Sequence, residues 1–230
     1  MTITPERAAV AAGPPGDASA LAGGRGGPLR YAGRLAVLVA GLFCFALGIV
    51  LTLKSRLGLG PWDVFHQGLA GRLGLTFGLA SIGVGFAVLL LAWALGTRPG
   101  VATVLNMVFV GAFIDLIDFL GFVPDLAGQP FLARLAMDVA GVAVVGVGTA
   151  YYIKANLGAG PRDGLMLGLA RRAGGRVALV RAAIELTVLA IGFLLGGTAG
   201  LGTLVFALGI GPAVAVAFRV FRVEVEKSKL

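Results

Sequence analysis

The sequence predicts an all-α membrane protein: six transmembrane helices plus two short re-entrant or interfacial helices, arranged as two duplicated, inverted repeats. Three observations predict it. The first is composition. Of 230 residues, 58% are hydrophobic and 13% are charged, where a soluble domain carries about 25% charged residues. Such a chain has too few polar groups to cover its surface, so lipid must be its solvent. The second is a series of six apolar runs long enough to cross a bilayer. The third is self-similarity between its two halves at an offset of 100 positions.

Residues 1–33 are rich in Gly, Pro and Ala, with few large apolar side chains. They read as a disordered tail. No apolar stretch of the signal-peptide kind precedes Leu35, so the first span is expected to insert uncleaved. One transmembrane domain then covers 34–221, with repeats at 34–122 and 131–221, before a short charged tail at 222–230. Leu35 to Leu53 is the first span and carries no charge until Lys54. Phe77 to Leu95 is the second. Val101 to about Phe122 is the third, with Asp115 and Asp118 in its second half. Phe131 to Ile153 is the fourth, with Asp138. Val177 to Leu195 is the fifth, with Arg181 and Glu185. Leu201 to about Val220 is the sixth. Pro61 to Leu73 and Pro161 to Ala173 are too short to cross a core of about 30 Å at about 1.5 Å per residue. Length alone argues against eight spans.

Shifting the chain by 100 aligns it with itself without a gap. Gly41, Gly48 and Lys54 meet Gly141, Gly148 and Lys154. The run Leu57-Gly58-Leu59-Gly60-Pro61-Trp62-Asp63 meets Leu157-Gly158-Ala159-Gly160-Pro161-Arg162-Asp163. Three crossings per half would invert the second copy. With the N-terminus inside, fifteen of the 19 lysines and arginines fall in inner segments and four in outer ones. That bias places both termini in the cytoplasm.

The repeated Leu-Gly-x-Gly-Pro-x-Asp is the sharpest motif. Gly58 and Gly60, with Gly158 and Gly160, let the chain leave a helix through unusual dihedrals. Pro61 and Pro161 suit the first position of a new helix. Asp63 and Asp163 then fall near its free N–H groups and its positive dipole end. This paired motif, in its duplicated six-span setting, resembles the YczE/YyaS/YitT group of bacterial integral membrane proteins. It looks most like the YczE branch, over about Arg34 to Phe221. The resemblance implies a fold and a location, the bacterial cytoplasmic (inner) membrane, rather than an activity.

Two readings of the motif stand side by side. Inverted-repeat transporters place broken helices at the midplane with their free ends facing substrate. Trp62, Asp63, His66, Arg162, Asp163, Arg181 and Glu185 would then form a ligand or ion site. Alternatively, Pro and Asp simply start two short helices. Glu185 sits about two turns into an apolar span, where a lone carboxylate costs a few kcal/mol. Arg181 is placed to pair with it one turn earlier. Asp115 and Asp118 read as interfacial. Asp138 lies deeper than a loop carboxylate but short of the span's centre. His66 reads as hydrogen-bonded structure or as a ligand, and Asn106 as a bond to a neighbouring helix. Cys44, the single cysteine, reads as an inert thiol.

No Ser-His-Asp set, zinc spacing or nucleotide loop is present. Neither enzyme activity, cofactor nor metal is expected. The net charge of +8 borders apolar runs, which suits anionic lipid rather than nucleic acid. The partners expected are the lipid bilayer and a small solute or ion; the sequence sets no oligomeric state. A permease is the leading function. The alternative is a non-transporting membrane scaffold or regulator that binds a partner protein through the basic segment Arg162 to Arg181.

Overall fold

The computed structural model describes residues 28–97, 100–155 and 160–223, and all eight elements among them are helices. They are α1 (Pro28–Ser55), α2 (Pro61–Leu73), α3 (Phe77–Ala94), α4 (Val101–Leu120), α5 (Phe131–Lys154), α6 (Pro161–Arg172), α7 (Val177–Leu194) and α8 (Leu201–Val220). Six of these, all but α2 and α6, are long and apolar enough to cross a membrane. The molecule is an integral membrane protein.

Most helix ends lie within two residues of the expected positions. The exception is α1, which starts at Pro28, ahead of the apolar run at Leu35 and inside the segment expected to be a tail. Proline is well suited to a first turn because its missing N–H would have no helical partner. Residues 1–27 and 224–230, and Gly158 with its neighbours, lie outside the described residues.

The centre of the molecule is an antiparallel crossing of α1 and α5. It is dictated by four glycines. A methyl group on Gly48 would lie 2.6 Å from the Val145 backbone nitrogen, and one on Gly148 would lie 2.5 Å from that of Phe45. Gly41 approaches Tyr152, and Gly141 approaches Thr52, just as closely. Without side chains in the way, the two backbones meet, and dispersion replaces the hydrophobic drive that lipid cannot supply. Leu38, Leu42, Ile49, Ile114, Ile117 and Val145 form the core around this crossing. α4 packs on α1, and α8 on α5.

The short helices are seated on helices from the other half of the chain. α2 packs on α7, and α6 packs on α3. Gly192 lets the α2 backbone in, since a methyl there would lie 2.5 Å from Phe65 Cα. It is also the one fully buried residue of α7, whose remaining surface is largely exposed.

The carboxylates expected at the interface also have partners within the protein. Asp118 bonds Lys54 at 2.6 Å. Asp115 accepts the Thr76 hydroxyl at 2.5 Å and the Gly78 N–H at 2.8 Å, which ties α4 to the start of α3. Arg56, in a left-handed conformation after α1, pairs with Asp125 in the loop before α5.

Candidate functional site

Both short helices begin at their prolines. Gly60 is the N-cap of α2, and its carbonyl accepts the N–H groups of Asp63 and Val64, each at 2.9 Å. Gly160 is the N-cap of α6. Upstream of α2, Gly58 has φ +121 and a methyl there would lie 2.6 Å from the Gly200 nitrogen. Only glycine satisfies both the dihedral and the close approach. The Leu59 N–H donates to the Thr198 carbonyl, and the Gly202 N–H to that of Leu57, so this loop is joined to the start of α8.

Trp62 and Arg162 occupy equivalent positions in the two motifs, and they meet. The Arg162 guanidinium carbon lies 4.8 Å from the centroid of the Trp62 ring. The indole face offers a cation the negative side of its quadrupole. The same guanidinium approaches His66 Nε2 at 3.5 Å. Arginine can only donate, so Nε2 must accept and the imidazole proton sits on Nδ1. Nδ1 faces Asp63 Oδ1 at 3.4 Å. The result is a short series from Arg162 through His66 to Asp63. Phe77 closes it with an edge-on ring 5.9 Å from the imidazole.

Trp62, Asp63 and His66 are all buried, His66 to 1% exposure. Yet Asp63 Oδ1 and His66 Nδ1 have no well-formed hydrogen bond among the described residues. Here the structure differs from the expectation that Asp63 would face the free N–H groups of its helix. That carboxylate oxygen turns to His66 instead. Asp163 stays closer to the expected place, with the Gly160 backbone N–H as a partner.

The remaining site residues approach the same place. Arg162 is within electrostatic reach of Asp63, Asp163, Tyr152 and Glu185, and Asp163 is within reach of Arg181. Arg181 Nε donates to Glu185 Oε1 at 2.9 Å, the i,i+4 pair expected, and both are half-buried. All seven sequence-predicted side chains thus come from α2, α6 and α7 into one neighbourhood. Its walls are Val84, Val88, Leu165 and Ile184. Among the described residues, no three His, Cys, Asp or Glu side chains are grouped to hold a metal ion.

Two polar groups take places that the sequence did not give them. Tyr152, near the end of α5, stands in the field of Arg162 and Asp163. Its signal was a phenol one turn from the end of an apolar span. Asp138 is wholly buried, where its sequence position suggested intermediate depth. Its neighbour Ser55 is 83 positions away, and no local pattern links them.

The chain is 36% identical over 182 residues to an uncharacterized protein of Haemophilus influenzae, covering 78% of this chain and 81% of that one. It is 39% identical over 175 residues to the uncharacterized membrane protein YczE of Bacillus subtilis, covering 75% and 79%. To YyaS of the same organism it is 28% identical over 166 residues, covering 71% and 82%. No solved structure matches the chain at a significant level. Residues 32–219 match the family described as "Family of unknown function (DUF6198)", and the chain belongs to that family.

Proposed function

We propose that the protein is a permease for a small solute or ion, with its binding site between the starts of α2 and α6. One observation carries the reading. Asp63, His66 and Arg162 are held within a membrane protein with hydrogen-bonding capacity left over. Buried ionisable groups are expensive in lipid and mark solute or ion pathways. Two non-spanning helices directing their N-termini to such a cluster repeat the transporter arrangement of broken helices at a midplane site.

A duplicated, inverted architecture, as proposed from the sequence, goes with the same reading. Adding or subtracting 100 converts the Gly41–Gly148 approach into the Gly141–Gly48 approach. It also exchanges the α2–α7 packing with the α6–α3 packing. Trp62 and Arg162, equivalent positions in contact, then lie on the pseudo-twofold axis. The setting that goes with this is a bacterial cytoplasmic membrane with both termini inside, as the distribution of basic residues indicates. The scaffold alternative draws less support, because three of its basic contact residues are already engaged within the molecule: Arg162 with Trp62, Arg181 with Glu185, and the exposed Arg171 with Thr97 Oγ1 at 2.7 Å.

The test is a thermal-shift screen of small metabolites and ions on purified protein, followed by uptake into liposomes. A ligand that stabilises the parent should lose its effect on Asp63→Asn and Asp163→Asn, which keep side-chain size. Equal binding and flux by all three proteins would refute the site.

A further inference from the structure

A second polar centre lies apart from the Trp62 site, where α1, α5 and the start of α8 meet. Asp138 on α5 is wholly buried. Its Oδ1 lies 3.1 Å from Ser55 Oγ, and its Oδ2 has no hydrogen-bond partner among the described residues. A methyl group on Gly202 would lie 2.9 Å from Oδ1, so the start of α8 closes the third side.

The hydrogens around Ser55 can be counted. A serine hydroxyl has one proton to give and two lone pairs. Ser55 Oγ lies 2.7 Å from the Thr52 carbonyl, a shorter contact than the 3.1 Å to Asp138 Oδ1, so the proton goes to the carbonyl. The Leu57 N–H, at 3.3 Å, takes one lone pair. One lone pair is left, facing Asp138 Oδ1. The hydrogen in that contact must come from the carboxyl group.

The neighbouring charges do not offer another solution. Arg134, one turn earlier on α5, donates to the Ser55 carbonyl at 2.9 Å and to the Arg56 carbonyl. Lys54 on α1 is paired with Asp118. Arg56 is paired with Asp125. The charged residue of α8, Arg219, lies at the end of the bundle where Lys154 reaches the Phe221 carbonyl, the opposite end of α5 from Asp138. An ionised Asp138 would be a buried charge with no cation and no committed donor, an arrangement that is costly in a lipid-embedded protein.

We propose that Asp138 is a proton-binding site, occupied by a proton in this conformation and donating to Ser55 Oγ. Release of the proton leaves a carboxylate that needs a donor. The Ser55 hydroxyl is the group at hand, and it must turn away from the Thr52 carbonyl to serve. That frees the Thr52 carbonyl in the last turn of α1, five residues before the Leu57 carbonyl that receives the Gly202 N–H. Proton occupancy is therefore linked to the junction between α1 and α8.

Infrared difference spectroscopy on the full chain in lipid tests this without a transport assay. Wild type minus Asp138→Asn, at neutral pH, should show the C=O stretch of a protonated carboxyl group, wholly lost in the variant. In Ser55→Ala, the same band should persist and move to higher frequency, because its hydrogen bond is gone. If Asp138→Asn does not fold, the Ser55→Ala shift decides alone. A carboxylate band in place of the acid band in the first difference, or an unmoved acid band in Ser55→Ala, would overturn the assignment.

Discussion

Arg162 sits over the face of Trp62, although 100 positions separate them in sequence and each follows a proline that starts its own helix. The contact pins the first turns of α2 and α6 to each other. A desolvated cation–π pair is worth about 2 kcal/mol and an exposed one about 0.5–1. A double-mutant cycle with Trp62→Leu and Arg162→Gln, read by unfolding in detergent, should return a coupling energy in that range. Strict additivity of the two single effects would mean the stack is incidental.

The α1–α5 crossing makes a sharp prediction about glycine. Gly48→Ala places a methyl against backbone that cannot step aside. It should destabilise by roughly 1–3 kcal/mol. Gly83, in mid-helix, has nothing within 4 Å of the same methyl, and Gly83→Ala should stabilise by roughly 0.5–1 kcal/mol. Unfolding midpoints of the two variants moving in the same direction would show that the crossing is looser than described.

The orientation of the two halves is open to chemical labelling. Cys44 is half-buried and should be replaced by serine first. A cysteine introduced at residue 56 should react with a membrane-impermeant reagent from outside the cell. One at residue 172 should react only after permeabilisation. Matching sidedness at both positions would rule out inversion.

The Arg56–Asp125 pair gives the acid limb of stability a definite sign. The hydrogen bond from Arg56, with help from the Ala127 N–H at 3.0 Å, holds the Asp125 carboxyl below the usual carboxylate range. A depressed folded-state value contributes stability that is present above the unfolded carboxylate's titration and is lost as pH falls through the folded one. The pair is half-exposed, so its worth is under about 1 kcal/mol. Asp125→Asn should therefore lower the melting temperature slightly at neutral pH. The gap should close in acid and shrink with added salt.

The long helices were legible in the sequence because lipid permits a spanning segment to be little else than a continuous apolar run. The starts of α2 and α6 were legible because Gly-Pro has local meaning whatever surrounds it. What Asp63 does was not. Its local grammar says N-terminal carboxylate, but His66 and Arg162 draw one of its oxygens elsewhere, and Arg162 belongs to the other half of the chain. Asp115 and Asp118 looked like residues meeting water at a boundary. Their partners Thr76, Gly78 and Lys54 come from distant positions, which no window of sequence brings together.

The seating of α7 sets how the molecule can yield. Its extensive packing is on α2 and α6, themselves short helices, while α1 and α5 are locked backbone to backbone. Local opening is easiest where few apolar contacts must be given up. Amide exchange should therefore run fastest along α7 among the spanning helices. Arg181 and Glu185 ride on that segment, so the neighbourhood around Arg162 has one soft side and can dilate there while the glycine crossing stays intact.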